Sequence, residues 1–225
     1  MQLHSDLSVA AISRASETDW LPSPMKGVER KMLERNGEEV ARATTIVRYA
    51  PGSYFSPHVH SGGEEFIVLD GIFSDEHGDY PAGMYVRNPV GSKHKPYSKN
   101  GCIIMVKLWQ YPEEDQEHVR IDMKDGSLWD TAIDGTSHLA LHETSHERVE
   151  GVGLPAGMTC QFEEQGGFEL FLLTGEAEVD GDRYGPGDWL RFPQGASVKL
   201  TARTDVTLWQ KAGHLLAPPP LPNQA

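Results

Sequence analysis

At 225 residues the chain is long enough to bury a core without disulfide or metal staples. Its 33 Asp and Glu against 20 Lys and Arg give a formal net charge of −13, which argues against a nucleic-acid groove, where phosphate neutralisation needs clustered cations. Two cysteines, Cys102 and Cys160, are too few for a disulfide framework or a Cys-based zinc cluster. The longest apolar runs, such as 103–106, fall far short of a membrane span. The N-terminal stretch MQLHSDLSVAAISRAS lacks the basic start and apolar centre of a secretory leader. A cytoplasmic chain is therefore expected, without nucleic-acid or membrane partners.

In chain order, short β-rich runs fall at 44–49, 66–69, 84–87, 103–109, 168–173 and 206–209, set among 23 Gly and 15 Pro. Strands of this length, separated by turn residues every ~8–12 positions, predict an all-β sandwich or barrel. The charged stretch 29–34 reads as either a strand or a single turn. No helix of ordinary length is predicted.

The two halves repeat one pattern. GGEEFIVLDG at 62–71 matches GGFELFLLTG at 166–175. Tyr80, Gly83, Arg87, Pro89 and Gly91 match Tyr184, Gly187, Arg191, Pro193 and Gly195 at the same spacings. Both halves contain Val-x-Leu-Trp-Gln, at 106–110 and 206–210. The expected organisation is an arm at 1–18, a barrel at 19–112, a linker at 113–127 that includes a strand near 118–123, a second barrel at 128–215, and a mobile Pro-rich tail at 216–225.

The first half carries a constellation with chemical content. His58 and His60 lie two apart on a predicted strand, so both imidazoles leave one face. Glu64 follows a Ser61-Gly62-Gly63 turn, and His94 comes thirty residues later, after another turn. In a small closed barrel, His58, His60, Glu64 and His94 converge as three imidazoles and a carboxylate, a donor set for one divalent first-row metal. Glu65 is the rival carboxylate, but alternation points it to the opposite face. In the second half, the places of His58 and His60 fall near 162–165 and His94 aligns with Val198. One metal per chain is expected, not two.

Gly52-x5-His58-x-His60-x3-Glu64-x6-Gly71, followed by Gly83-x5-Pro89-x-Gly91-x2-His94, resembles the two motifs of the cupin superfamily. Ser98 stands where the pattern often has Asn. The resemblance implies a bicupin: two tandem jelly-roll-like β-barrels. GGEEFIVLDGIFSDEHGDYPAGMYVRNPVGSKH and GCIIMVKLWQ, with the upstream DWLPSP and VARATTIVRYAPGS, more specifically resemble the cupin domain of ChrR-type anti-sigma factors. That resemblance covers 18–112. It implies metal ligands at His58, His60, Glu64 and His94, zinc as the ion, and a sensory role in a transcriptional response to oxidative stress. The donor set alone equally admits iron, manganese, nickel or copper. A sigma factor or anti-sigma partner would follow from the family, but the His-x3-Cys-x2-Cys motif of its sigma-gripping domain does not occur in this sequence. The alternative function is a metal-dependent dioxygenase acting on a small diketone- or flavonol-like substrate. Either reading places a small-molecule ligand in the first barrel. Monomer and homodimer both remain open.

Arg48, Tyr97, His77 and Lys107 are polar residues on or beside strands of the first barrel, with a rim role as the competing reading. His138, His142 and His146 would share a helix face, but the repeat places them before and into a strand, so exposed histidines are expected. Cys102 opens a strand and is read as a small apolar group. Trp109 and Trp209 are expected to anchor the two cores.

Overall fold

A computed structural model describes residues 1–222. The tip of the expected tail, 223–225, lies outside the described residues. The structure is nearly all β, with one short 3-10 turn, Gly126–Leu128, among the described residues. By compactness the chain divides into two units. The first holds Met1–Ser5, Thr18–Lys124 and the segment from Pro218; the second holds Asp6–Glu17 and Asp125–Ala217.

In the first unit the main sheet runs in the order Gln2–Leu3, Val28–Gly37, Ala41–Tyr49, Cys102–Leu108, Glu64–Asp75, Met84–Asn88 and Val119–Asp122. The stretch 29–34 is thus strand, not turn. The strand Val119–Asp122, from the expected linker, pairs antiparallel with Met84–Asn88. Near the C-terminus Trp109 Nε1 donates to the Pro220 carbonyl at 3.0 Å, giving this part of the expected mobile tail a fixed partner. The barrel interior is packed by Val47, Tyr49, Phe66, Val68, Phe73, Val86, Ile104 and Val106.

The long strand Glu64–Asp75 serves both walls of the barrel. It turns a corner at Gly71, whose φ is 72° and where a Cβ would lie 2.2 Å from the Gly101 carbonyl oxygen. Only glycine fits such a corner. A bulge beside it shifts the register between Ile103 and Ile104, and this reverses the alternation of inward and outward side chains.

The second unit has the same strand order: Asp130–Thr131, Ser137–Glu143, Arg148–Leu154, Val206–Ala212, Phe168–Thr174, Trp189–Phe192 and Ala11–Ser13. Ala11–Ser13, from the expected arm, pairs with Trp189–Phe192. A second sheet is built from Thr159–Glu163, Ser197–Ala202, Ala177–Val179 and Asp182–Tyr184. The core is a continuous apolar cluster that includes Phe162, Phe168, Leu170, Leu172, Leu190, Phe192 and Val198.

Cross-strand pairing fixes how the repeats correspond. In the first unit Glu65 lies opposite Arg87 and Lys107; in the second, Glu169 lies opposite Arg191 and Lys211. Trp109 adopts φ 60°, and the structurally matching position is Gly213 with φ 88°. The shared Val-x-Leu-Trp-Gln strings therefore do not occupy matching positions; the true counterpart of Lys107 is Lys211. Both segments are strands, whose side chains leave alternate faces, so a slip of an even number of residues keeps every side chain on its face and parity does not exclude it. Trp209 is fully buried, whereas Trp109 is half-buried and lines a cavity instead of anchoring a core.

Candidate metal centre

His58 sits on the two-residue strand His58–Val59, which pairs with Lys93–His94 so that His58 lies directly opposite His94. Val59 points outward and is 57% exposed, while His60 on its far side is buried. His60 is held by its backbone: its N–H donates to the Ser92 carbonyl at 2.9 Å, and its carbonyl accepts from Gly91 and Gly63. The following Gly62-Gly63 turn is obligatory. A Cβ on Gly62 or Gly63 would fall 2.4 Å from the rings of Trp109 or Tyr111, respectively. These two aromatic residues press the turn into place, and Glu64 starts its strand immediately beyond it. The hydroxyl of Tyr111 donates to the Glu64 carbonyl at 3.0 Å.

The four side chains meet. Ring centroids of His58, His60 and His94 are separated by 4.8, 5.2 and 4.8 Å, and their ligand nitrogens lie within 4.8 Å of one another. The Nε2 atoms of His60 and His94 approach to 2.9 Å. Glu64 Oε2 lies 3.4 Å from His60 Nε2 and 3.7 Å from His94 Nε2. His60, Glu64 and His94 are buried, and His58 is half-buried.

Outer contacts orient these donors. His58 Nδ1 is 2.8 Å from the Ser56 carbonyl, and His94 Nδ1 is 3.1 Å from Asp75 Oδ2. A ring that donates from Nδ1 presents the Nε2 lone pair to the centre. Asn88 Nδ2 donates to Glu64 Oε2 at 2.9 Å, and Arg120 in turn donates to Asn88 Oδ1 at 2.7 Å. The electrostatics follow. Burial holds the His60 imidazole below its ordinary range. Burial pushes Glu64 up, but the imidazoles of His60 and His94 and the Asn88 hydrogen bond outweigh it, so the carboxyl sits below its usual range. Burial lowers His94, yet its Asp75 hydrogen bond and the nearby Glu64 carry it above the ordinary imidazole range.

Three inward nitrogens and a carboxylate oxygen, all within a few ångströms and mostly shielded from water, fit a first-row divalent ion. Lone pairs this close repel one another unless a proton or a cation lies between them. Glu65, the rival carboxylate, faces the other way: it accepts from Tyr85 at 2.8 Å and from Arg87 at 3.2 Å. Arg87 also reaches Asp115 at 2.5 Å.

A cavity of about 430 Å³ adjoins the donors. Val47, Tyr49, Phe55, Ile104, Val106 and Leu108 give it apolar walls, and Trp109 borders it. Such a space beside an open coordination position can hold a small ligand.

The other polar candidates stay away from the centre. Arg48 bonds Glu29 at 2.6 Å and stacks on Trp20 at 4.2 Å, on the outer face. Tyr97 is 40% exposed and His77 is exposed. Lys107 is buried and donates to Thr44 Oγ1 at 2.7 Å, while its neighbours Val106 and Leu108 line the cavity. His138 and His146 are exposed, but His142 is buried on the strand Ser137–Glu143, against the expectation for all three. A bulge between Ala140 and His142 sets it opposite Val149, on the face that Lys211 shares and away from the barrel interior. Cys102 is buried, and burial pushes its thiol up to about 11, which suits an inert apolar group.

Sequence reasoning missed Asp75 and Asn88. Asp75 lies eleven residues after Glu64, and strict alternation sends the two to opposite faces. The corner at Gly71 reverses that parity, and Phe73 and Asp75 turn inward with Glu64. Asn88 is the direct cross-strand partner of Glu64, a relationship readable only once the register is known.

In the second unit the pairing Phe162 opposite Val198 occupies the place of His58 opposite His94. Phe168, opposite Phe192, takes the place of Glu64, and Glu164 that of His60. Phe168 packs against Phe162 and Phe192 at 6.2 and 5.1 Å between centroids. An aromatic plug thus fills the position where the first unit gathers donors.

Two barrels of this topology, one with a His-rich interior donor set, define a bicupin. Residues 8–112 match the family described as the ChrR cupin-like domain. No curated protein matches the chain. Among solved structures, the fold resembles a "putative dioxygenase" from Nostoc punctiforme at 13% identity, covering 93% of this chain and 85% of that one, with a TM-score of 0.75. It also resembles the Escherichia coli pirin YhhW in complex with nickel(II) at 13% identity, covering 94% and 100%, TM-score 0.69. A variant of Bacillus subtilis oxalate decarboxylase matches at 11% identity, covering 90% and 77%, TM-score 0.64. Among the described residues no helix is long and apolar enough to cross a membrane.

Proposed function

We propose that the first barrel binds one divalent transition metal through His58, His60, Glu64 and His94, with zinc as the resident ion. In this reading it works as a ligand-sensing regulatory module of the ChrR type. The observation that carries the metal is the 2.9 Å approach of two imidazole Nε2 atoms beside a buried carboxylate, with His58, His94 and Glu64 each held by an outer contact. The regulatory part is supported by the family match over residues 8–112 and by the cavity next to the donors. A bound divalent ion would supply Lewis acidity toward an oxygen donor of the ligand. The chain's own residues shape the apolar wall, exclude water and hold the donors in register. The aromatic plug of the second barrel supports a count of one ion per chain.

Elemental analysis of protein purified without added metal tests this reading. About one ion per chain is expected, with most of it lost in His58→Ala and in Glu64→Ala. Two tightly held ions per chain, or unchanged metal content in both variants, would overturn it.

The apolar cavity also favours a second reading, a metal-dependent dioxygenase acting on a small diketone-like substrate. Oxygen uptake separates the two. Turnover of a β-dicarbonyl by iron-loaded protein assigns the enzyme; zinc as the native ion with no uptake across a dicarbonyl panel assigns the sensor.

A further inference from the structure

The cavity beside the donors is not uniformly apolar. Arg30 and Arg35, both on the strand Val28–Gly37, line it together with Glu39. Two residues five apart on a regular strand face opposite ways. Here a bulge between Met32 and Glu34 reverses the alternation, so that both guanidinium groups belong to the cavity wall. The outer face of this strand is served instead by Glu29, which bonds Arg48, and by Lys31, which lies over Trp20. A chain with a net charge of −13 thus gathers two arginines in an apolar cavity of about 430 Å³.

Register places these arginines away from the metal donors. Arg35 pairs with Ala43, Ala43 with Leu108, and Leu108 with Glu64. Three inter-strand steps put the Arg35 backbone about 14 Å across the sheet from that of Glu64. Ala43 and Leu108 lie between, on the inward rows. Arg35 is buried, and its Nη2 donates to the Glu38 and Glu39 carbonyls. Arg30 reaches the exposed Glu39 carboxylate only at 3.8 Å, and its Nε is buried with no hydrogen-bond partner. That Nε is closed to water, so it is the rest of the Arg30 guanidinium, 3.8 Å from the Glu39 carboxylate, that is left to meet a ligand anion.

We infer that Arg30 and Arg35 form the anion-binding end of the cavity, so that its ligand is a small carboxylate with an apolar body lying along Val47, Ile104 and Val106. This deepens the proposed function. It rests on that reading only for the ligand's other end, which would meet the metal. Guanidinium groups match a carboxylate in charge and in planar donor geometry.

Calorimetric titration of the metal-loaded full chain with octanoate and with 1-octanol tests the inference, because the two probes share a chain length and differ in charge. Octanoate is expected to bind about tenfold or more tightly than octanol. Arg30→Met should remove that preference while leaving the circular dichroism unchanged, and Arg30→Lys should recover part of it. The same titration on His58→Ala separates this inference from the metal reading, since the carboxylate preference should survive loss of the ion. Equal affinity for the two probes in the unaltered protein, no measurable octanoate binding, or a preference for octanoate that persists in Arg30→Met overturns it. A preference lost in His58→Ala but kept in Arg30→Met would assign the carboxylate to the metal and overturn it as well.

Discussion

Asp75 Oδ2 lies 3.1 Å from His94 Nδ1, on the side of the ring away from the Nε2 that faces His60 and Glu64. This contact fixes the tautomer and aim of the most deeply buried imidazole of the centre. Asp75 is itself held by the Tyr80 hydroxyl at 3.2 Å and the His77 backbone N–H at 2.8 Å, so its carboxylate does not swing freely. Asp75→Asn is expected to weaken metal affinity about 10- to 100-fold without removing a ligand. Competition titration against a chromophoric chelator measures it; affinity equal to that of the unaltered protein would show that His94 needs no such partner.

The Gly62 turn couples packing to the centre. An added methyl group there overlaps the Trp109 ring at 2.4 Å, and the ring is tied through Nε1 to the Pro220 carbonyl. Gly62→Ala should therefore cost about 1–3 kcal/mol and lower metal content, because Glu64 begins two residues on. Gly185→Ala, where an added Cβ meets nothing within 4 Å, is the matched control. Thermal melts and metal analysis of both variants check the pair, and equal melting temperatures would refute the coupling.

The second barrel packs aromatic side chains where the first gathers its candidate donors. Phe168 is fully buried among Phe162 and Phe192. Truncation to Phe168→Ala should cost about 3–5 kcal/mol, seen as an earlier denaturant midpoint, while metal bound per folded chain stays the same. A loss of metal in parallel with stability would show that the aromatic plug serves the donors as well.

Cys102 gives a pH signature. Its folded-state value of about 11 lies above the ordinary 9.0 because burial disfavours the thiolate. A raised thiol keeps its proton in the folded chain while the unfolded chain loses it. The contribution is therefore fully present below about pH 9 and is lost as pH rises through about 11. Cys102→Ala should show a shallower fall in stability over that window. With a disulfide-exchange reagent at pH 8, half-exposed Cys160 should react well ahead of Cys102. Equal rates would mean that the strand at Cys102 opens readily.

Much of this protein was legible in its sequence. Short β-rich runs between regularly placed turn residues give the strands, and recurrence of GGEEF and GGFEL with Arg87 and Arg191 gives two barrels. The spacing of His58, His60, Glu64 and His94 gives a convergent donor set, because parity on a strand decides which face a side chain leaves. Tertiary structure decided what parity cannot. The bulges beside Leu33 and at the Gly71 corner each shift alternation by one residue, which brings Arg35 and Asp75 inward. Cross-strand register, a long-range property, pairs Asn88 with Glu64, separates the matching Trp strings, and sets the arginines across the sheet from the metal donors.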